Sequence, residues 1–430
     1  MRPRRLLPSL GLVVVLSAGG IGSISAKADL PSRLSDQAFW QLSRDSSEPD
    51  GVFQSDNLLS NEIVFGRLVP DLAARTKPGG VYLGVGPEQN FTYIAAMKPR
   101  IAFITDIRRG NLHAQLMYKA LFELSKDRAE FVSRLFTKPR PAALTATSTV
   151  LEIMNAYWDG FSADEAAFQS NLEAVHSLLT KTHRIPLEQA DLDGIAGVYR
   201  AFYLNGPSIT YSARTGATAD QVRSRAYSSN GNGTYWAMMT QTDASGQPFS
   251  YLASEESFAV LKDLESRNLI VPVVGNFSGP KALRAVGAYI KDHDATVSAF
   301  YLSNVESYLQ RDGTWPAFCG NVATFPLDDA SVFIRPSAIS IINAPVGTLT
   351  TTQGAPLQFL QFQGGSTVTT NPPRVSFNVV LPLSNAVGPV NSAELVPPAA
   401  PAARPAPSNN QLLPAGLIPI KNQVSGCTAK

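Results

Sequence analysis

Apolar residues in this chain fall into two patterns, short unbroken runs and stretches with a repeat near 3.6, which predict strands and helices in alternation. Val81-Tyr82-Leu83 is the first unbroken run. Gly84 and Gly86 open a turn after it, and Pro87 stands where a helix should begin. Proline suits that place because its φ is already helical and its missing N–H would have had no partner there. The pattern predicts a helix over 88–97, stopped by Lys98-Pro99, then a second buried strand over 101–104 that closes on Asp106. Upstream it predicts helices over 36–42 and 63–74, the second kinked or shortened by Pro70. Downstream one helical repeat runs through 111–136 and ends at Pro139-Arg140-Pro141.

Residues 145–229 read as mostly helical with polar faces. A second strand–turn–helix unit follows: a helix over 255–267, an apolar run over 269–274, a Gly/Pro turn over 275–280, a helix over 281–290 and a strand over 296–302. Another helix begins at Val305. Segments 330–335, 338–342, 357–362 and 375–381 look like strands between Gly, Thr and Pro turns. Beyond about Gly388 the chain is rich in Pro and Ala. The alternation predicts an α/β class with a doubly wound, mostly parallel sheet, a helical insertion and a β-rich C-terminal extension. The expected organisation is a leader over 1–28, a first α/β half over 29–140, a helical insertion over 141–250, a second α/β half over 251–345, a β-rich extension over 346–387 and a flexible tail over 388–430.

Composition changes this picture at one end. With 430 residues and 44% hydrophobic residues the chain can bury a sizeable core. The first 28 residues hold Arg2, Arg4, Arg5 and Lys27 and no acid, so their loss turns a formal charge of +2 into −2. That basic start, the apolar run over 6–18 and the small residues around Ala26-Lys27-Ala28 form the three parts of a secretory signal peptide cut near Ala28. The run is shorter than the ~20 residues needed to span a bilayer, so no anchor is expected after cleavage. The expected location is secreted or periplasmic. A nearly neutral chain offers no electrostatic footprint for nucleic acid. Cys319 and Cys427 would pair in an oxidising compartment, or stay as two free thiols.

Candidate chemistry gathers at the first turn. Glycine lets a ligand approach the backbone, and a helix start offers free N–H donors. Asp106, about 20 residues on, ends the next strand, where an acid can hold ribose hydroxyls. Position 89, where a dinucleotide fingerprint has its third glycine, is Gln. That suits a cofactor presenting a ribose and an amino acid without a pyrophosphate. VYLGVGP followed by ITD resembles the cofactor half of class I S-adenosylmethionine-dependent methyltransferases. GVGPEQNFTYIA, DIRRGNL and VVGNFSGPKALRAVGAYI also resemble an uncharacterised family of secreted bacterial proteins. The first resemblance implies S-adenosylmethionine as cofactor, with Gly84 and Gly86 admitting it, Asp106 on its ribose, and Glu62 and Gln89 beside it. It matches the unit at Val271 to the family's fourth strand and puts Asn276, Phe277 and Arg108 on the substrate side. Asn276-Phe277-Ser278-Gly279 lacks the proline-proline-aromatic run of amino-methylating enzymes, so no target atom and no catalytic residue follow. The rival expectation is an exported binding or envelope-interaction module on the same fold.

Other polar residues have structural readings beside functional ones. Arg108 and Arg109 would hold an anion or pair with nearby acids. Glu62 would contact a cofactor amine or cap a helix. Glu88 is expected to complement the helix dipole in the first turn. His113 reads as exposed or capping, and His176 and His183 lack the neighbours of a metal site, so no metal is expected. No G-x-S-x-G elbow or phosphate-cradling G-x-x-x-x-G-K is present.

Overall fold

A computed structural model describes residues 29–62, 65–76, 78–158, 164–226, 233–243, 245–335, 417–424 and 427. All of them belong to one compact unit. Strands β1 (Val81–Gly84), β2 (Ile101–Asp106) and β3 (Ile270–Val274) are buried at every residue. A strand covered on both faces needs no polar side, which is why each is a near-continuous apolar run. With β4 (Val297–Tyr301), β5 (Val332–Ile334) and β6 (Leu417–Pro419) they form one sheet in the order β3-β2-β1-β4-β5-β6. The first five are parallel, and β6 pairs antiparallel with β5. The protein is therefore α/β with a mostly parallel, mixed six-stranded sheet.

Helices supply the crossovers. α1 (Asp36–Ser46), capped by the Ser35 side chain, packs on β3. A single 3₁₀ turn, Phe65–Leu68, leads into α2 (Val69–Arg75). Pro70 lies in the first turn of α2, so of the two expected outcomes the helix is shortened rather than kinked, and the proline starts it. α3 (Gln89–Met97) stops at Lys98, whose φ of 49° is left-handed. The repeat over 111–136 is two helices, α4 (Arg109–Leu124) and α5 (Arg128–Phe136). The Asp127 side chain accepts from Glu130 N and caps α5, a local competitor that breaks the run. α6 (Val150–Ala156), α7 (Glu165–Ser177), α8 (Gln189–Asn205), α9 (Ala219–Ala226) and α10 (Tyr235–Met239) make up the helical stretch before α11 (Glu255–Ser266) and β3. α8 packs on α4, α5 and α7. Phe91, Tyr118, Phe122, Phe131 and Tyr251 form the aromatic core here, with Phe122 and Phe131 stacked at 4.5 Å. Burying each such ring stabilises the fold by about 1.5–3 kcal/mol.

β3 corrects an expectation. The apolar run at Val271 is an edge strand beside β2, and the fourth strand is Val297–Tyr301. The helical stretch lies inside the β2-to-β3 crossover and leaves that strand pairing intact. α12 (Ala282–Asp292) follows β3 and contacts α1 and β2. α13 (Val305–Arg311) and α14 (Trp315–Val322) follow β4. The end of the expected flexible tail is also corrected: β6 and α15 (Ile420–Val424) join the body, and Cys427 is disulfide-bonded to Cys319 with Cα atoms 5.6 Å apart. Leu417 and Ile420 are buried there, so the tail closes the β5 edge. The expected leader and the expected strands over 338–342, 357–362 and 375–381 lie outside the described residues. Among the described residues no helix is long and apolar enough to cross a membrane.

Candidate functional site

The parallel strands β1 to β4 end together, and a cavity of about 370 Å³ opens at those ends. Its lining comes from the segment before the 3₁₀ turn (Phe53, Asn57, Ser60), the Gly86 turn, the ends of β2 and β3, and α13. The volume lies in the range of small-molecule pockets. β1 is flanked by β2 on one side and β4 on the other, so the strand order reverses here, and ligands of open α/β sheets lie at such a reversal.

Six of the eight expected binding residues meet in this lining: Gly86, Gln89, Asp106, Arg108, Asn276 and Phe277. Gly86 takes a φ of 78°, which a side chain would resist, and its absent Cβ faces Asn57 at 3.4 Å. Gly84 lies outside this lining. A Cβ there would sit 1.9 Å from Asn90 Oδ1, so Gly84 leaves room for Asn90. Asn90 accepts from the Tyr82 hydroxyl at 2.8 Å and donates to the carbonyls of Val85 and Pro87, tying the turn from within.

Asp106 is buried and already engaged. Its Oδ1 accepts from the Arg108 backbone N–H at 2.9 Å and from Nε at 3.1 Å, and its Oδ2 accepts from Nη2 at 3.1 Å. Arg108 Nη1 donates to the carbonyls of Ser55 and Asp56, so the pair also pins the segment over the strand ends. Arg109 turns outward to Asp191 of α8, at 2.6 and 2.9 Å. His113, expected to be exposed or capping, is buried against the same carboxylate at 2.9 Å. Burial raises the Asp191 carboxyl, but hydrogen bonds from Arg109 and His113 outweigh it and hold it at about 2.

Asn276 is exposed, and its Oδ1 accepts from the Ser278 N–H and hydroxyl. The Phe277 ring stacks on Phe318 at 5.8 Å and belongs to the core. The free N–H groups around the start of α12 are filled from within the chain. Glu48 Oε1 accepts from Lys281 N at 2.8 Å and Ala282 N at 2.9 Å, and Oε2 accepts from Asn276 N at 3.0 Å.

Glu62 stands behind the lining. Its Oε2 accepts from the Tyr301 hydroxyl at 2.7 Å and its Oε1 from the Ser303 hydroxyl at 2.6 Å. Burial raises its carboxyl above the ordinary value, against the pull of these two hydrogen bonds. Gln89 Nε2 donates to the same Tyr301 oxygen at 2.7 Å. Tyr301 and Ser303, at the end of β4, were not singled out from the sequence. The signal was their place after a buried strand, where ligand-facing groups of this class lie. Glu88 also departs from expectation. It is fully buried, and burial pushes its carboxyl up to about 8, against the weaker pull of backbone N–H groups of Glu88 itself and Ser60. Among the described residues no group of three or more His, Cys, Asp or Glu side chains is arranged to hold a metal ion.

A model of the family described as domain of unknown function DUF7790 matches residues 59–190 and 214–363, more than half of the chain, and the chain belongs to that family. No curated protein matches it.

Proposed function

We propose that this member of the DUF7790 family is an exported small-molecule-binding protein whose cavity takes a ribose-bearing ligand of the S-adenosylmethionine class. The carrying observation is that Gly86, Gln89, Asp106 and Asn276, drawn from three separate strand ends, line one cavity at the reversal of strand order. The order β3-β2-β1-β4-β5 supports a doubly wound, methyltransferase-like arrangement. Asp106 Oδ2 meets only Arg108 Nη2, so it keeps capacity for one ribose hydroxyl, since a carboxylate accepts about four hydrogen bonds. The enzymatic form of this reading is methyl transfer to an unknown acceptor, with positioning of both reactants as the main contribution. The Cys319–Cys427 bridge supports an oxidising compartment and so the expected export.

A second reading, a non-catalytic binding or envelope-interaction module, rests on two contacts. Arg108 occupies most of Asp106, and Glu48 fills the start of α12, where an acceptor's anionic group would otherwise sit. Calorimetric titration of the disulfide-bonded protein with S-adenosylmethionine and S-adenosylhomocysteine separates these readings. Binding near about 1 μM, some −8 kcal/mol, that weakens at least tenfold in Asp106→Asn supports the cofactor site. No heat with either ligand, from protein shown to be folded, removes it and leaves the binding module.

A further inference from the structure

Among the described residues that line the cavity, Gln89 holds the one buried side-chain polar atom without a partner, its carbonyl Oε1. Gln89 itself is only 1% exposed. An amide side chain can turn over and exchange oxygen for nitrogen, so its orientation has to be argued from its neighbours. Here three residues decide it. The Tyr301 hydroxyl has a single proton, and its 2.7 Å contact with Glu62 Oε2 takes that proton. The Tyr301 oxygen can then only accept from Gln89, which presents Nε2 at 2.7 Å. Ser303 donates to the other oxygen of Glu62 at 2.6 Å, so both oxygens of the carboxylate are held by donors. The φ of Ser303 is 48°, a left-handed conformation that a serine rarely adopts. The Tyr301 ring is fixed against Tyr93, with centroids 5.2 Å apart.

We infer that Gln89 is the specificity-determining acceptor of this cavity, locked in one orientation by the relay Ser303–Glu62–Tyr301. The ligand must bring an N–H or O–H donor to the end of the cavity between β1 and β4. A group that only accepts would face the Gln89 carbonyl and leave it unpaired, and an unpaired buried carbonyl is costly. Tyr301 is a positioning residue: it acts on the ligand through Gln89. The choice of S-adenosylhomocysteine as first probe rests on the function proposed above; the donor requirement itself does not.

The test uses the full chain and the variants Gln89→Leu and Tyr301→Phe, with calorimetry and NMR of the Gln89 side-chain amide. If S-adenosylhomocysteine binds the parent protein, Gln89→Leu should weaken it at least tenfold and Tyr301→Phe about threefold to tenfold. In Tyr301→Phe the two amide proton signals of Gln89 should also broaden as the group begins to turn over, which lost packing alone would not cause. Equal affinity in all three proteins overturns the inference and spares the proposed ligand class. If no nucleoside ligand binds the parent protein, that class fails, and titration with methylammonium and with acetone decides the inference. A shift of the Gln89 amide signals with methylammonium and none with acetone supports it. Equal responses, or none, overturn it.

Discussion

Replacing Glu88 with glutamine should make the protein more stable, although it removes an acid from the N-terminal end of a helix. Glu88 is fully buried, and burial holds its carboxyl at about 8 against an ordinary 4.5, outweighing the backbone N–H groups of Glu88 and Ser60 that pull the other way. The native protein therefore keeps a proton that the unfolded chain releases. Stability from this group is full below pH 4.5 and falls as pH rises, by about 1.4 kcal/mol per pH unit, until the native carboxyl ionises near 8. The loss is roughly 3 kcal/mol at pH 7 and about 5 kcal/mol above pH 8. The amide of the Glu88→Gln variant does not ionise in either state, so the difference between the two proteins isolates this group. Glu265, also pushed up to about 8 by burial, titrates alike in both and cancels. Urea unfolding of the disulfide-bonded proteins between pH 4.5 and 9 measures the difference. It should start near zero at the acid end, grow in favour of Glu88→Gln through neutrality and level off above pH 8. A pH-independent difference, or a variant less stable at pH 8, would refute the reasoning.

Gly84→Ala should destabilise by about 2 kcal/mol, because a Cβ there collides with Asn90 and loosens the turn it ties; an unchanged urea midpoint would return Gly84 to the role expected from the sequence. Reducing the Cys319–Cys427 bridge, whose ends lie 108 residues apart, should cost about 4–5 kcal/mol in the loop-entropy account and free β6 and α15 to exchange amide protons early. His183 lies between Glu123 at 2.8 Å and Asp36 at 2.7 Å; the hydrogen bond to Glu123, against the opposing effect of burial, and the one to Asp36 raise its pKa above 6.5. That stabilisation is complete below pH 6.5 and lost as pH rises through the higher native value. His183→Ala should therefore lose about 3 kcal/mol at pH 6 and a smaller amount at pH 9, read from unfolding midpoints at the two pH values.

Local pattern determined more of the fold than of the site. The buried runs at Val81, Ile101, Ile270 and Val297 announce parallel strands, because a strand covered on both faces has no use for polar residues. The turn at Gly86 announces itself too, since its left-handed φ favours glycine. Neighbour relations were not legible. That β3 returns beside β2 after the helical stretch, and that residues 417–424 close the sheet, depends on which apolar faces find one another in space. The same limit holds at the site. Asp106 was visible at a strand end, but its pairing with Arg108 depends on how the chain bends after β2, where the segment carrying Ser55 and Asp56 receives the arginine. Gln89 was visible as a missing glycine, yet its orientation is decided by Tyr301, 212 residues away. Backbone propensity and hydrophobic period act over a few residues and can be read in order along the chain. Burial, hydrogen-bond partners and the protonation of groups such as Glu88 belong to the packed molecule, where residues distant in sequence meet out of reach of water.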